Sequence, residues 1–196
     1  VMIVEDEGII AMDIRSQLER FGYEVVGTAF SGKQALEMAI LRTPDIVLMD
    51  IVLKGSMDGI SAANAITGSM DIPVIFLTAY SDPDTLQRAK TIGAYGYLIK
   101  PFRPDELRSS IEVALYKHQL QRKLKESEQW FAKTLHCISD AVIATDTEGK
   151  VQFMNPVAEL LTGQRLAQVE GKSINELMTL YTETEHKILE NPVAKS

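Results

Sequence analysis

The run Ile46-Val47-Leu48-Met49-Asp50 places four apolar residues directly before a single carboxylate. A short, uninterrupted apolar run is typical of a strand that is buried on both faces of a parallel sheet. Amphipathic stretches separate this run from four others, at Met2 to Val4, Val25 to Val26, Val74 to Leu77 and Tyr97 to Ile99. Strands that alternate with helices indicate βαβ units. The sequence therefore predicts an α/β fold with a doubly wound, five-stranded parallel sheet.

Five helices are predicted around this sheet. Ser31 and Gln34 fit a capping box, and Pro104 followed by two acidic residues fits the first turn of a helix. No helix breaker follows Pro104 until about Leu135, so the fifth helix should continue past the first domain as a connector. The predicted helices span Ile9 to Phe21, Ser31 to Leu41, Asp58 to Ile66, Leu86 to Ile92, and the stretch from Pro104.

The connector divides the chain into a first domain over 1–118, a helical connector over 119–138 and a smaller α+β domain over 139–196. A heptad register gives the connector an imperfect apolar seam. Two interpretations remain open: a short parallel coiled coil in a homodimer, or one long helix packed on its own domain. The seam positions are Val113, Lys117, Leu120, Leu124, Ser127, Phe131 and Ile138.

The last segment begins with a predicted hairpin. Its strands are Ala141 to Asp146 and Lys150 to Asn155, and Gly149 can supply the positive φ that the turn needs. A two-stranded hairpin is a weak independent core, so either further chain completes this domain or it packs on a partner. Three short helices are predicted after the hairpin, at Pro156 to Gly163, Ser173 to Leu177 and Glu183 to Glu190.

Composition excludes several classes of protein. The 196 residues are 45% hydrophobic and 24% charged, which is typical of a globular protein and argues against disorder. No apolar run reaches the roughly 18 residues of a membrane span. The net charge of -7 argues against nucleic-acid binding by these residues. The lone Cys137 cannot form an internal disulfide, and no signal segment opens the chain, so we expect a reducing, cytoplasmic setting.

Polar residues follow four of the predicted strands: Glu5 and Asp6, then Asp50, Thr78 and Lys100. The carboxyl ends of parallel strands share one edge of the sheet, where ligands bind. Two carboxylates about 4 Å apart repel by about 4 kcal/mol in a surface crevice, so the three acids need a cation. An oxygen-only ligand set favours Mg²⁺ completed by phosphate oxygens. Asp50 is the most central acid and is the predicted nucleophile, which would form an aspartyl phosphate while Lys100 offsets the phosphoryl charge.

Five short motifs surround these polar residues: Val4-Glu5-Asp6-Glu7, Leu48-Met49-Asp50-Ile51, Met57-Asp58-Gly59, Leu77-Thr78-Ala79 and Tyr97-Leu98-Ile99-Lys100-Pro101-Phe102. Together they resemble the receiver domain of two-component response regulators, a flavodoxin-like fold. The resemblance covers residues 1 to about 118. It implies that Glu5, Asp6, Asp50 and the Val52 carbonyl hold Mg²⁺.

The same resemblance implies further roles. Asp50 would accept the phosphoryl group from a histidine kinase or a phosphotransfer protein, Lys100 would bind it, and Thr78 with Tyr97 would form the switch pair. A cis bond would precede Pro101, and the fourth helix, fifth strand and fifth helix would form a homodimer surface. The chain departs from the commonest family pattern in a longer loop at Val52 to Met57.

The residues two positions beyond Asp50 and Thr78 are Val52 and Tyr80. Neither is an acid or an amide that could orient an attacking water, so we expect slow autodephosphorylation. A phosphatase acting on external substrates is disfavoured for a related reason, since the nucleophile lacks a second Asp at position 52. We therefore expect a phosphoacceptor that catalyses only its own phosphorylation and dephosphorylation, rather than an enzyme.

The second segment resembles the first part of a PAS sensor domain, through Asp140 to Asp146, Phe153 to Ala158 and Leu161 to Gly163. The family's remaining three strands are absent from these residues, so we expect a longer natural chain.

The favoured function is a response regulator that signals through the connector to the PAS-like module. The alternative is a PAS-based small-molecule or redox sensor with the receiver as a docking scaffold. His118, His136 and His186 are predicted to be solvated, and Cys137 to be a small packing residue.

Overall fold

The computed structural model describes residues 1–79 and 93–177. The chain divides into two compact units, Val1–Lys123 and Leu124–Ser196, which are described separately below.

The first unit is built on a five-stranded parallel sheet, as predicted. Its strands lie in the order β2-β1-β3-β4-β5. The register places Val4 beside Met49, Asp50 beside Leu77 and Thr78 beside Ile99, so the strands end at one edge. The strands are β1 (Met2–Val4), β2 (Gly27–Ala29), β3 (Val47–Asp50), β4 (Val74–Thr78) and β5 (Gly96–Ile99).

Helices cover both faces of this sheet. Alternate strand residues point to opposite faces, so Met2 and Val4 join one core while Ile3 joins the other. The first core is completed by α2 and α3, and the second by α1 and α4. The helices are α1 (Gly8–Arg20), α2 (Gly32–Arg42), α3 (Gly59–Met70) and α4 (Pro104–Cys137).

The prediction for the second strand was wrong in position. The apolar pair Val25 and Val26 was expected to form it, but pairing begins at Gly27, opposite Met2. Val26 packs against one core and Val25 against the other, so both are half-buried at the entrance of the strand. Gly27 lies against the side chain of Met38, where a Cβ would collide. The Val26 N–H donates to the Val1 carbonyl at 3.0 Å, so the apolar pair leads into the strand and packs at its entrance without forming it.

The helix predictions agree closely with the structure. Ser31 caps α2 by accepting from the Gln34 backbone, although the Gln34 side chain bonds the Phe30 N–H rather than that of Ser31. Helix α3 continues four residues past the predicted end at Ile66. The helix predicted over Leu86 to Ile92 lies outside the described residues.

Helix α4 confirms the long connector, since it runs unbroken for 34 residues. Its first turns pack on the sheet through Leu107, Ile111 and Ala114. The predicted seam is exposed at Val113 in these turns and, further along, at Leu120, Leu124 and Phe131.

The second unit contains the predicted hairpin and a small core. Gly149 takes a φ of 75° in the turn, as expected. The helices at Pro156 and Ile174 were predicted, whereas α6 was missed and the helix expected over 183–190 lies outside the described residues. The elements are β6 (Ile143–Thr145), β7 (Val151–Met154), α5 (Pro156–Thr162), α6 (Leu166–Val169) and α7 (Ile174–Leu177).

One buried side chain ties this unit together. The Asn155 amide oxygen accepts from the backbone N–H groups of Val142 and Ala158, both at 2.9 Å. Its nitrogen donates to the carbonyl oxygens of Asp140 at 2.9 Å and Leu135 at 3.3 Å. Asn155 thus joins the end of α4, the start of the hairpin and the first turn of α5.

Two expectations about single residues were wrong. His118 was predicted to be solvated, but its side chain is only 13% exposed, and its ring packs edge-on against Tyr95, 5.4 Å between centroids. Cys137 was predicted to pack internally but is exposed, because it is the last residue of α4. His136 is exposed, in line with its prediction, and His186 lies outside the described residues.

Over residues 1–79 and 93–177, no helix has both the length and the apolar character needed to cross a bilayer.

Candidate functional site

The carboxyl edge of the first sheet gathers the predicted polar residues. Asp50 and Thr78 are the last residues of β3 and β4, and Glu5 directly follows β1. The backbone N–H of Lys100 donates to the Thr78 carbonyl at 2.7 Å, which extends the β4–β5 pairing to the lysine. The parallel register therefore fixes the backbone positions from which these side chains extend.

Three carboxylates form a compact cluster at this edge. Glu5, Asp6 and Asp50 each offer an oxygen, and these atoms lie within 4.8 Å of one another. Glu5 and Asp50 are buried, and Asp6 is nearly so. A cluster of carboxylate oxygens is the donor set that hard divalent cations prefer. The acidic cluster therefore fits a divalent metal site.

Lys100 neutralises part of this cluster. Its ammonium lies 2.5 Å from Glu5 Oε2 and 2.7 Å from Asp50 Oδ2, and its side chain is 16% exposed. Burial raises the pKa of Glu5, and the hydrogen bond from Lys100 only partly offsets this. Burial also opposes the charge of Lys100, but the bonds to Asp50 and Glu5 outweigh it and raise the pKa of Lys100. Lys100 therefore stays an ammonium, and the charge of Glu5 depends on it.

The backbone holds the two buried acids in place. The Val52 N–H donates to Asp50 Oδ1 at 3.1 Å, and the Glu7 N–H donates to Glu5 Oε1 at 3.2 Å. Gly59, at the start of α3, lies so close to the Asp50 carbonyl that a Cβ would collide with it. The loop after β3 can therefore fold tightly over the acidic cluster. The predicted use of the Val52 carbonyl as a metal ligand stays a prediction.

One charged residue at the site was missed in the sequence. Lys54, in the loop after β3, places its ammonium 2.9 Å from Asp6 Oδ2. The only signal was the unusual length of the loop at Val52 to Met57, and loop length does not give the direction of a side chain.

The two predicted switch residues, Thr78 and Tyr97, differ in their surroundings. Thr78 is buried at the end of β4, at the same edge as Asp50. Tyr97 is half-buried and packs against the first core, where its ring stacks on Phe76 with 5.9 Å between centroids. Burial raises the pKa of Tyr97. The peptide bond between Lys100 and Pro101 is cis, as expected.

A cleft of about 870 Å³ opens above the cluster. Its walls combine the charged residues with apolar side chains from α1 and from the loop after β5, including Ile9, Ile10 and Phe102. The cleft leaves room for a phosphate-sized group beside Asp50 and Lys100.

Two family models match the chain, one in each of its two parts. Residues 1–112 match the family model of the response regulator receiver domain, and residues 131–194 match that of the PAS fold. The transcriptional regulatory protein PdtaR of Mycobacterium tuberculosis is 44% identical over 115 residues, which are 59% of this chain and 56% of that protein. The phyllosphere-induced regulator PhyR of Methylorubrum extorquens is 32% identical over 63% of this chain and 46% of its own length. The chain thus spans about half the length of these relatives.

Solved structures resemble the first unit. The signal receiver domain of a modulated diguanylate cyclase from Desulfovibrio desulfuricans is 42% identical, with a TM-score of 0.59, over 61% of this chain and 95% of that chain. The N-terminal domain of a response regulator/sensory box/GGDEF 3-domain protein from Carboxydothermus hydrogenoformans is 35% identical, with a TM-score of 0.56, over 61% and 96% of the two chains. The chain belongs to the response regulator receiver family and carries a PAS fold after its receiver domain.

Proposed function

We propose that this chain is a two-component response regulator whose receiver accepts a phosphoryl group on Asp50, in a Mg²⁺-dependent reaction, from a histidine kinase or a phosphotransfer protein. The observation that carries the proposal is the joint placement of Lys100 against Asp50 and Glu5, beside a cluster of three carboxylates. The acids suit a hard cation, and the lysine suits the equatorial oxygens of a phosphoryl group in transfer.

Each side chain has a distinct part in the transfer. An Asp50 carboxylate oxygen bonds to phosphorus as the bond from phosphorus to the donor's histidine nitrogen breaks. Lys100 shifts from the carboxylates toward the phosphoryl oxygens. Glu5, Asp6, Asp50 and the Val52 carbonyl would hold Mg²⁺, which when bound offsets the charge of the transferred group. The chain catalyses only its own modification.

The signal would leave the site through the switch pair. The Thr78 hydroxyl would turn toward a phosphoryl oxygen, and Tyr97, now stacked on Phe76, would fill the space that it leaves. Helix α4 begins five residues after β5 and continues without a break into the second unit. The PAS fold is therefore the proposed recipient of the signal.

Homodimerisation is the proposed form of the response. The predicted surface combines the fourth predicted helix, β5 and α4. The exposed apolar residues of α4 support this surface, because they follow one heptad seam at Val113, Leu120, Leu124 and Phe131.

We place the protein in the cytoplasm, where a histidine kinase would reach the receiver, and propose no nucleic-acid contact by these acidic residues.

The test of the proposal is phosphoryl uptake by the full chain. Incubation with acetyl phosphate and Mg²⁺ should add one phosphoryl group to the intact mass, and EDTA should prevent the addition, because the carboxylates need the cation. The increment should disappear after hydroxylamine treatment, which cleaves acyl phosphates. No addition in any condition would contradict the proposal and would favour the PAS-based sensor.

Autodephosphorylation should be slow once the group is attached. Position 52 is Val, whose side chain is exposed and cannot orient water, and position 80 is Tyr, which lies outside the described residues. The intact mass followed over time, after removal of the phosphodonor, measures the rate. A half-life of seconds would contradict this expectation, whereas Val52→Asn should shorten the half-life.

A further inference from the structure

Every carboxylate of the acidic cluster contacts a lysine ammonium. Lys100 contacts Glu5 and Asp50, and Lys54 contacts Asp6 at 2.9 Å. The two lysines differ in burial, since the side chain of Lys54 is 83% exposed and that of Lys100 is 16% exposed. Lys54 also has a single carboxylate partner in the described residues, whereas Lys100 has two.

We propose that Lys54 is a tethered counterion that occupies Asp6 until a divalent cation binds, and that it thereby lowers the affinity of the acidic cluster for that cation. The inference rests on the proposed function, because it assigns the cluster to a divalent cation.

Lys54 and a divalent cation at the acidic cluster would share the Asp6 carboxylate. Mg²⁺ binds oxygen ligands at about 2.0–2.1 Å. An ammonium 2.9 Å from Asp6 Oδ2 would then lie close to a doubly charged ion held by the same carboxylate, so the two positive charges repel each other. A lysine side chain exposed to water is an ammonium at neutral pH. The repulsion therefore disfavours both cations on Asp6 at once.

Lys54 is the cation that can leave. Its exposed, flexible stem can swing the ammonium into water, where the charge is fully solvated. Lys100 is held by two carboxylates in a largely buried position, where moving its ammonium into water would break two ion pairs instead of one. Binding of the divalent cation is therefore an exchange of cations at Asp6.

The expected effect is modest because the displaced pair is exposed. The free energy contributed by an exposed ion pair corresponds to about a 2- to 5-fold change in an equilibrium constant. Lys54→Ala should therefore tighten Mg²⁺ binding by about 2- to 5-fold, and Lys54→Arg should keep the affinity near that of the wild type. The difference should shrink at about 1 M salt, where the screening length falls to roughly 3 Å.

The experiment is calorimetric titration of the full chain with Mg²⁺ alone, without a phosphodonor. Lys123→Ala is the matched control, because it removes the same charge from an exposed position 19 residues beyond the start of α4. Asp6→Asn tests whether the measured binding belongs to the acidic cluster. Tighter binding in Lys54→Ala, with Lys123→Ala unchanged and Asp6→Asn weakened, supports the inference.

The remaining outcomes overturn it in distinguishable ways. If Asp6→Asn weakens binding but Lys54→Ala leaves the affinity unchanged or lowers it, the counterion role is wrong and the metal site of the proposed function stands. Equal tightening in Lys54→Ala and Lys123→Ala would mean a general effect of net charge, which also overturns the role. Absence of Mg²⁺ binding in the wild type and in Lys54→Ala would remove the metal site and the inference together.

Discussion

Asp50→Asn should abolish phosphoryl incorporation from acetyl phosphate, while Asp13→Asn should leave it intact. An amide is neutral and lacks the nucleophilic oxygen of a carboxylate, so it cannot form an acyl phosphate. Asparagine preserves the volume of the side chain, and its oxygen can still accept the Val52 N–H, so the fold of the loop should persist. Intact mass spectrometry of both variants, with and without Mg²⁺, measures the effect.

Asp13 is a strict control because it lines the same cleft. Its carboxylate accepts a hydrogen bond from Gln17 at 2.7 Å and lies outside the cluster of three acids. Uptake of one phosphoryl group by Asp50→Asn at the wild-type rate would assign the nucleophile to another residue. Equal loss in both variants would indicate damage to the cleft rather than removal of the acceptor.

Lys100→Met should cost the first unit about 3–5 kcal/mol of stability near neutral pH, because it leaves buried acids without their cation. Methionine retains most of the length of the lysine stem, so the lost charge rather than a cavity should dominate. Lys123→Met is the matched control on an exposed surface. Urea unfolding of the full chain, with hydrogen exchange of β3 and β4 to report on the first unit, measures the change.

The loss should depend on pH in a defined direction. Burial already raises the pKa of Glu5, and removing Lys100 removes two causes that lower it. When folding raises the pKa of a carboxyl, the contribution of that group to stability is fully present at pH values below its unfolded-state pKa, here 4.5. That contribution is lost as the pH rises through the folded-state pKa. The deficit of Lys100→Met should therefore be smallest in acid and should grow toward neutral pH. A deficit of the same size at every pH would contradict the assignment to buried charge.

Added Mg²⁺ provides a second check on the same variant. A divalent cation at the acidic cluster would replace the missing positive charge, so it should restore part of the stability of Lys100→Met. The same addition should stabilise Lys123→Met only as much as it stabilises the wild type.

The sequence predicted the position of the site better than its contacts. Glu5, Asp50, Thr78 and Lys100 could be placed together because parallel strands end at one edge, and a strand end can be read from where an apolar run stops. Lys54 could not be placed, since its contact with Asp6 joins two loops 48 positions apart, and neither loop has a periodic pattern. Long-range contacts of flexible side chains leave no local signal.

The errors have a related physical origin. His118 was expected at a solvated helix position because it fits no phosphoacceptor or metal-ligand pattern, but the ring of Tyr95, the residue before β5, packs against it. Val25 and Val26 were read as the second strand because apolar character was taken as its sign, whereas the strand is the less apolar Gly27–Ala29 and the pair packs at its entrance. The burial of a side chain depends on residues from distant parts of the chain, which the local sequence does not show.

The amide of Asn155 has a mechanical consequence. It bonds the carbonyl of Leu135 in α4 and also the N–H groups that begin the hairpin and α5. A rotation of α4 about its own axis at Leu135 therefore cannot be absorbed locally without breaking hydrogen bonds of a fully buried group, which is costly. The end of the helix and the start of the PAS fold should therefore turn as one rigid piece rather than bend at a flexible joint.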